Sequence, residues 1–285
     1  MKEDNRDLEV LDPGRRRFLI GAGLVAAGIV LPLGAGLVGC ARSETPAAPS
    51  EPPATAPPPT PALDTATVPW QYAKLDSVAA AERGYTAYYA GGCMFGSFEG
   101  ILGELREKVG PPFTAFPTAM MKYGKGGVVS WGTLCGALNG ASAAIYLVSD
   151  PATGDKLIDE LFAWYGAEGL PTYRPSNPKF EISPSVAQSP LCHVSVTTWC
   201  ETSGFKALSP ERSERCAWLT ASVVKHTTEL LNTMTDGNIA VMPALSSDVS
   251  GCLACHGKGG IKENVHASKA SSCAICHEPH SLPMQ

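Results

Sequence analysis

Near its C-terminus the chain reads Cys252-Leu253-Ala254-Cys255-His256 and, sixteen residues on, Cys273-Ala274-Ile275-Cys276-His277. Two thiols held two residues apart can add to the two vinyl groups along one porphyrin edge. A histidine directly after the second thiol then swings its imidazole under the iron. Cys-x-x-Cys-His is therefore the attachment sequence for c-type haem. A single Cys-x-x-Cys is also compatible with a thioredoxin-like redox pair, and two copies with one zinc ion bound by four thiolates. The histidine after each pair, an export-type N-terminus and the lack of a βαβ context argue against both. The motifs predict two c-type haems per chain, joined through Cys252, Cys255, Cys273 and Cys276, with His256 and His277 as proximal iron ligands.

Distal ligands come from a short supply. The chain has six histidines, and four remain once the proximal pair is set aside. His280 lies three residues beyond His277, and three extended residues reach at most about 10 Å. That is too short to pass around the haem His277 serves, so His280 belongs to a different haem, to solvent or to a partner subunit. His266, ten residues past His256 on a Gly/Lys-rich stretch, can reach either iron. His226 falls at helical spacing with Val223, Thr227 and Leu230 and reads as a core-edge residue. His193 reads as structural, and Met242 and Met284 are weaker ligand candidates.

Five cysteines lie earlier in the body: Cys93, Cys135, Cys192, Cys200 and Cys216. An extracytoplasmic setting permits disulfides, but an odd number leaves one thiol over. Four thiolates are what a small iron–sulfur cluster requires, although the spacing matches neither ferredoxin pattern. Both readings stand on spacing alone. The export route favours the cluster: it carries folded, cofactor-loaded proteins, whereas haem is joined to the chain outside.

The elements that must position these groups are helical. Phe98, Ile101, Leu102 and Leu105 repeat at three and four residues within 98–109, and 74–83 and 155–165 carry similar spacing. Residues 133–148 are small and apolar nearly all round, as in a buried helix with close neighbours. Ser209-Pro210-Glu211 opens a helix running to about Met234, with a cap, Pro at the first position and acid in the first turn. No long alternating run occurs, so the predicted class is mainly α: a helical body with a loop-rich C-terminal dihaem segment.

Ahead of the body stands an address. Arg15-Arg16-Arg17-Phe18-Leu19 precedes an uncharged apolar run to Ala41 that contains Leu37-Val38-Gly39-Cys40. Residues 1–39 read as a twin-arginine-like signal ending in a lipobox, with Cys40 as the lipidation site; an uncleaved transmembrane anchor is the alternative. Either places the remainder outside the cytoplasmic membrane. Residues 40–70 hold nine prolines and form a semi-rigid spacer. Residues 71–235 make the body, with a possible iron–sulfur site, and 236–285 the dihaem segment. A net charge of −5 argues against a nucleic-acid partner, because the backbone phosphates demand cations. Two haems add about −4 through ionised propionates, favouring redox partners with a basic docking patch.

The body resembles the redox protein family named for a Cys, Gly-Cys-Ala, Gly, Cys, Cys pattern. Gly92-Cys93, the stretch Cys135-Gly136-Ala137-Leu138-Asn139-Gly140-Ala141, Cys192 and Cys216 carry the likeness, with Met94 where the pattern has Ala. Joined to the two-haem tail, residues 75–285 are similar to the split-Soret cytochromes c. That resemblance implies a homodimer with closely stacked bis-histidine haems, one axial histidine taken from the partner chain, and an iron–sulfur site remote from the haems. Six-coordinate irons leave no open position, so electron transfer is the expected function. A haem-dependent reductase of a small oxyanion or sulfur compound, with one open iron, is the alternative, and a structural or sensing role for the haems is a third.

Overall fold

The computed structural model describes residues 67–238, 247–265, 269 and 272–280. Cys40, His266, Met242, Met284, the signal and most of the spacer lie outside the described residues.

The body is helical, as its periodicity predicts. Helix α1 (Ser77–Gly91) starts where the Asp76 carboxylate accepts from the amides of Val78 and Ala79, satisfying two donors that a helix start leaves orphaned. This start lies three residues later than the apolar spacing suggests. Leu75 is drawn away, its amide and carbonyl both bound to the Asn232 side chain. Helix α2 (Cys93–Val109) follows after one residue, and α3 (Gly136–Val148) after a loop containing two short 3₁₀ turns. Helix α4 (Pro151–Ala167) is capped by Asp150. Strands β1 (Gly169–Leu170) and β2 (Ser185–Val186) form one antiparallel pair. Helix α5 (Cys192–Ser203) ends at Gly204, whose left-handed backbone (φ +77°) lets its amide return to the Cys200 carbonyl. Helix α6 (Pro210–Thr235) opens as its sequence promises, with the Ser209 hydroxyl accepting from the Arg212 amide at 3.1 Å.

Helix α2 lies between α1 and α3, and α6 packs across all three while α4 covers α3 and α6. The core joins Phe98, Ile101, Leu102 and Leu105 of α2 to Leu138, Ala141 and Ile145 of α3, Leu157 and Leu161 of α4, and Val223, Val224 and Leu231 of α6. Packing begins at Trp70, whose amide bonds the Leu147 carbonyl and whose ring meets Phe113 edge-on.

The small residues of α3 set how closely it approaches α2. A Cβ added to Gly140 would stand 2.2 Å from both the Met94 carbonyl oxygen and Ser97 Oγ, far inside contact distance. No side chain fits there without moving α2, and α2 carries Cys93. The tail contributes helix α7 (Ser247–His256). The first haem-attachment motif thus sits on a helix, where the sequence reading expects a loop-rich segment.

Gly140→Ala is expected to destabilise the protein by about 1–3 kcal/mol through overpacking, lowering the urea midpoint at constant m-value. A midpoint unchanged, or raised by the roughly 1 kcal/mol that alanine's helix propensity offers, would show that the two helices are not held at this distance.

Candidate redox centres

Three body cysteines stand at helix N-termini. Cys93 is the first residue of α2, Cys135 caps α3, and Cys192 is the first residue of α5. Gly92 makes the corner for Cys93: φ +84° with ψ −178° is a combination open essentially to glycine alone, and its amide closes α1 on the Tyr88 carbonyl. Cys135 and Cys192 come together through a short antiparallel bridge. The Cys135 amide donates to the Pro190 carbonyl at 2.8 Å, and the Cys192 amide to the Thr133 carbonyl at 2.6 Å. Cys216 arrives from the middle of α6.

All pairs among Cys93, Cys135, Cys192 and Cys216 lie close enough to interact electrostatically. Cys200, directly after Trp199 on α5, has Cys216 but none of the other three among its largest electrostatic influences. The geometry therefore separates a set of four from the fifth cysteine, which sequence spacing could not do. Among the described residues every cysteine is a free thiol, so the disulfide reading has no support in this structure. No group of three or more His, Cys, Asp or Glu side chains among them stands in closed metal-ligand geometry; the four are neighbours around a pocket and not a finished cage.

Opposing effects act on these thiols. Burial pushes the Cys93 thiol up to about 12, and Cys135 and Cys216 push it further the same way, while the Gly126 and Met94 amides pull it down. Cys135 and Cys192 are also raised, burial again first, with the amides of Ala137 and Leu138 and the Tyr165 hydroxyl opposing it at Cys135. Free thiols at Cys93, Cys135 and Cys192 are thus neutral at pH 7. Yet the backbone donors, three helix N-termini and two arginines all favour negative charge. Arg212 hydrogen-bonds Cys216. Arg215, fully buried, donates from Nη2 to Ser195 Oγ at 2.9 Å, and Tyr165 donates to the same oxygen at 2.9 Å. A pocket so lined fits deprotonated, metal-bound thiolates better than free thiols. Sequence reasoning missed Arg215, Ser195 and Tyr165. The available signal was an arginine on the apolar face of α6, three and four residues before the buried Trp218 and Leu219.

In the tail the two attachment motifs lie side by side, with the Cys273 and Cys252 side chains hydrogen-bonded and Ser272 Oγ 3.3 Å from Asp248 of α7. The His256 ring is oriented through Nδ1, 3.0 Å from Asn264 Oδ1, which leaves Nε2 for a metal. Its centroid is 5.7 Å from that of His280, with the ring planes at 88°. His277 is exposed. The two histidines read as structural behave so. His193 donates from Nδ1 to the Gly132 carbonyl at 2.9 Å. His226 bonds the Glu160 carboxylate at 3.0 Å and stacks on Trp164 at 4.0 Å.

A helical body with a four-cysteine pocket, joined to paired Cys-x-x-Cys-His motifs, defines an electron-transfer protein of the cytochrome c class. Residues 97–230 match the profile of the redox-active protein family with the C_GCAxxG_C_C pattern. That match starts after Cys93, so geometry alone groups Cys93 with the other three. The chain is 38% identical over 217 residues to split-Soret cytochrome c of Desulfovibrio desulfuricans, covering 73% of this chain and 77% of that protein. A solved structure describing a novel iron centre in that cytochrome superposes with a TM-score of 0.69 at 36% identity, over 74% of this chain and 91% of the other. The chain belongs to the split-Soret cytochrome c family.

In protein made without haem or metal, iodoacetamide at about pH 8 is expected to modify exposed Cys252 and Cys276 first. It should spare Cys93 and Cys135 until denaturant is added. A thiol titrating near 12 is ionised in roughly one molecule in ten thousand at that pH, and only the thiolate reacts. Equal labelling of all four, read by peptide mass spectrometry, would contradict the buried pocket.

Proposed function

We propose that the chain is an exported dihaem c-type cytochrome with an additional iron–sulfur centre, passing single electrons between redox partners in an anaerobic-type respiratory chain. It works on the periplasmic side of the cytoplasmic membrane, held there through Cys40 or an uncleaved anchor. The observation that carries this reading is the pairing of His256 with His280 beside two adjacent attachment motifs.

Two imidazoles sharing one metal, with bonds of about 2 Å each, have centroids on the order of 6 Å apart. A separation of 5.7 Å is compatible with His256 and His280 sharing an iron. His280 would then serve the haem of the other motif, as its short reach from His277 requires. Asn264 fixes the His256 ring so that Nε2 faces the metal. Covalent haem supplies one-electron chemistry, and an iron with two protein imidazoles has no vacancy for substrate. The protein's part would be to hold both rings in place and keep water from the iron they bind.

Cys93, Cys135, Cys192 and Cys216 are the residues that would hold the iron–sulfur centre. The name and solved structure of the relative support haem and a further iron centre, since that protein is a cytochrome c with a novel iron centre; that the centre here contains sulfide is part of the proposal. A homodimer completes the assembly. Cys252, Cys276, His277 and His280 are all exposed, and a second copy of the tail would cover the haems they carry and supply the remaining axial ligand.

The exported protein should be heavier than its own haem-free form by two haems, and carbon monoxide should leave the reduced spectrum unchanged. His280→Ala should create one high-spin haem that binds carbon monoxide. A carbon monoxide response in the unaltered protein would favour a reductase with an open iron. Cys216→Ser should remove most non-haem iron and acid-labile sulfide, and Cys200→Ser should leave both in place. Equal losses in the two variants would break the assignment of four ligands among five cysteines.

A further inference from the structure

Arg215 is 1% exposed, yet among the described residues two of its donor nitrogens, Nε and Nη1, have no partner. The hydrogen bond it does make there goes to a neutral hydroxyl, Ser195 Oγ. The adjacent carboxylate does not compensate it. Glu214 points the other way, accepting from Tyr85, Tyr89, the Trp218 indole and the Lys179 amide. A guanidinium keeps its proton under any condition a protein survives, and a buried charge without a counter-ion is strongly disfavoured. The charge needs an anion. The groups on which it acts are Cys192, Cys200 and Tyr165. None of the three is a carboxylate, and among the described residues no ion pair reaches Arg215. Two of the three, Cys192 directly and Tyr165 through its bond to Cys135, belong to the four-cysteine pocket.

We propose that Arg215 is a positioning residue of the four-cysteine centre: its fixed charge, held by Ser195 and Tyr165, balances the metal-bound thiolates and raises the potential at which the centre accepts an electron. This rests on the iron–sulfur reading given above. Four thiolates with iron and sulfide carry net negative charge, and one-electron reduction adds another. A cation buried in low dielectric stabilises the reduced form more than the oxidised one, because the attraction grows with the charge it faces. Ser195 and Tyr165 supply the mechanical part. By accepting from Nη2, Ser195 fixes the plane of the guanidinium, and Tyr165 ties that same oxygen to the wall formed by Cys135. The result couples a ligand on α3 to a charge on α6 through one hydroxyl on α5.

The test is an EPR-monitored titration of the purified full-length holoprotein with dithionite as reductant, comparing the unaltered chain, Arg215→Met and Arg215→Lys. Iron, acid-labile sulfide and the haem spectrum are measured on each. With iron and sulfide retained, Arg215→Met should lower the equilibrium constant for reducing the non-haem centre at least tenfold, about 59 mV for one electron. Arg215→Lys should stay within roughly threefold of the unaltered protein. Loss of the centre in the Met variant with retention in the Lys variant also supports a charge requirement. Full iron in the Met variant with an unchanged potential overturns the proposal and leaves the cluster reading standing. Equal loss of the centre in both variants overturns it too, because shape and not charge would then be what matters. An unaltered protein with no non-haem iron sinks the cluster reading itself.

Discussion

The body is organised around a pocket that favours negative charge while excluding the water that would normally solvate it. Burial is the first cause of the raised thiols at Cys93, Cys135 and Cys192, and it outweighs the helix N-termini and backbone amides that oppose it. The balance reverses once sulfur binds a metal. A coordinated thiolate cannot be reprotonated by desolvation, and every donor around it then becomes a stabilising contact. The same surroundings that raise the free thiols would make them strong hosts for an anionic centre. Its construction depends on helix α3 approaching α2 over Gly140 and on the bridge between residues 134 and 191. Shifting either would separate Cys135 from Cys93 or from Cys192.

Body and tail solve the cofactor problem in opposite ways. The four body cysteines lie in or beside the packed core, reached from four different helices. They can act as ligands only after the fold exists. The tail cysteines fall in two five-residue motifs and are exposed or half-exposed, and each motif needs no tertiary partner to be recognised. A centre assembled inside a folded body and haems attached to an accessible tail are physically compatible with one chain that crosses a membrane between the two events.

This contrast also explains what the sequence discloses. The paired Cys-x-x-Cys-His motifs can be read directly because each lies within five consecutive positions. Helices α2, α3, α4 and α6 are legible because their buried faces repeat at three and four residues. Helix α5 is not: Val194, Val196, Thr197 and Thr198 are β-branched residues with weak helical preference, and only Ser195 and Trp199 of its span are buried. Its helical state comes from the Gly204 terminus and from packing against β2. The choice of four cysteines among five is a tertiary fact, fixed by a two-residue bridge that has no periodic signature. Arg215, Ser195 and Tyr165 were hidden for the same reason, since three residues on three helices meet only after folding.

On the proposed dihaem reading, the tail leaves its cofactors partly uncovered. Among the described residues, Lys269 of the tail bonds Asp159 on α4, and Val249 of α7 is fully buried. Ile261 is 79% exposed and Val265 44%, so these two apolar side chains after the first motif face outward. A porphyrin is a large flat apolar surface, and leaving it in water forfeits the burial free energy of about 25 cal/mol per Å². An iron held between His256 and His280 would fix one haem from both faces but leave its edges open. On the proposed dimer, the partner's tail meets those edges with the same exposed residues, so the apolar surface that makes one copy incomplete is what brings the second copy to it.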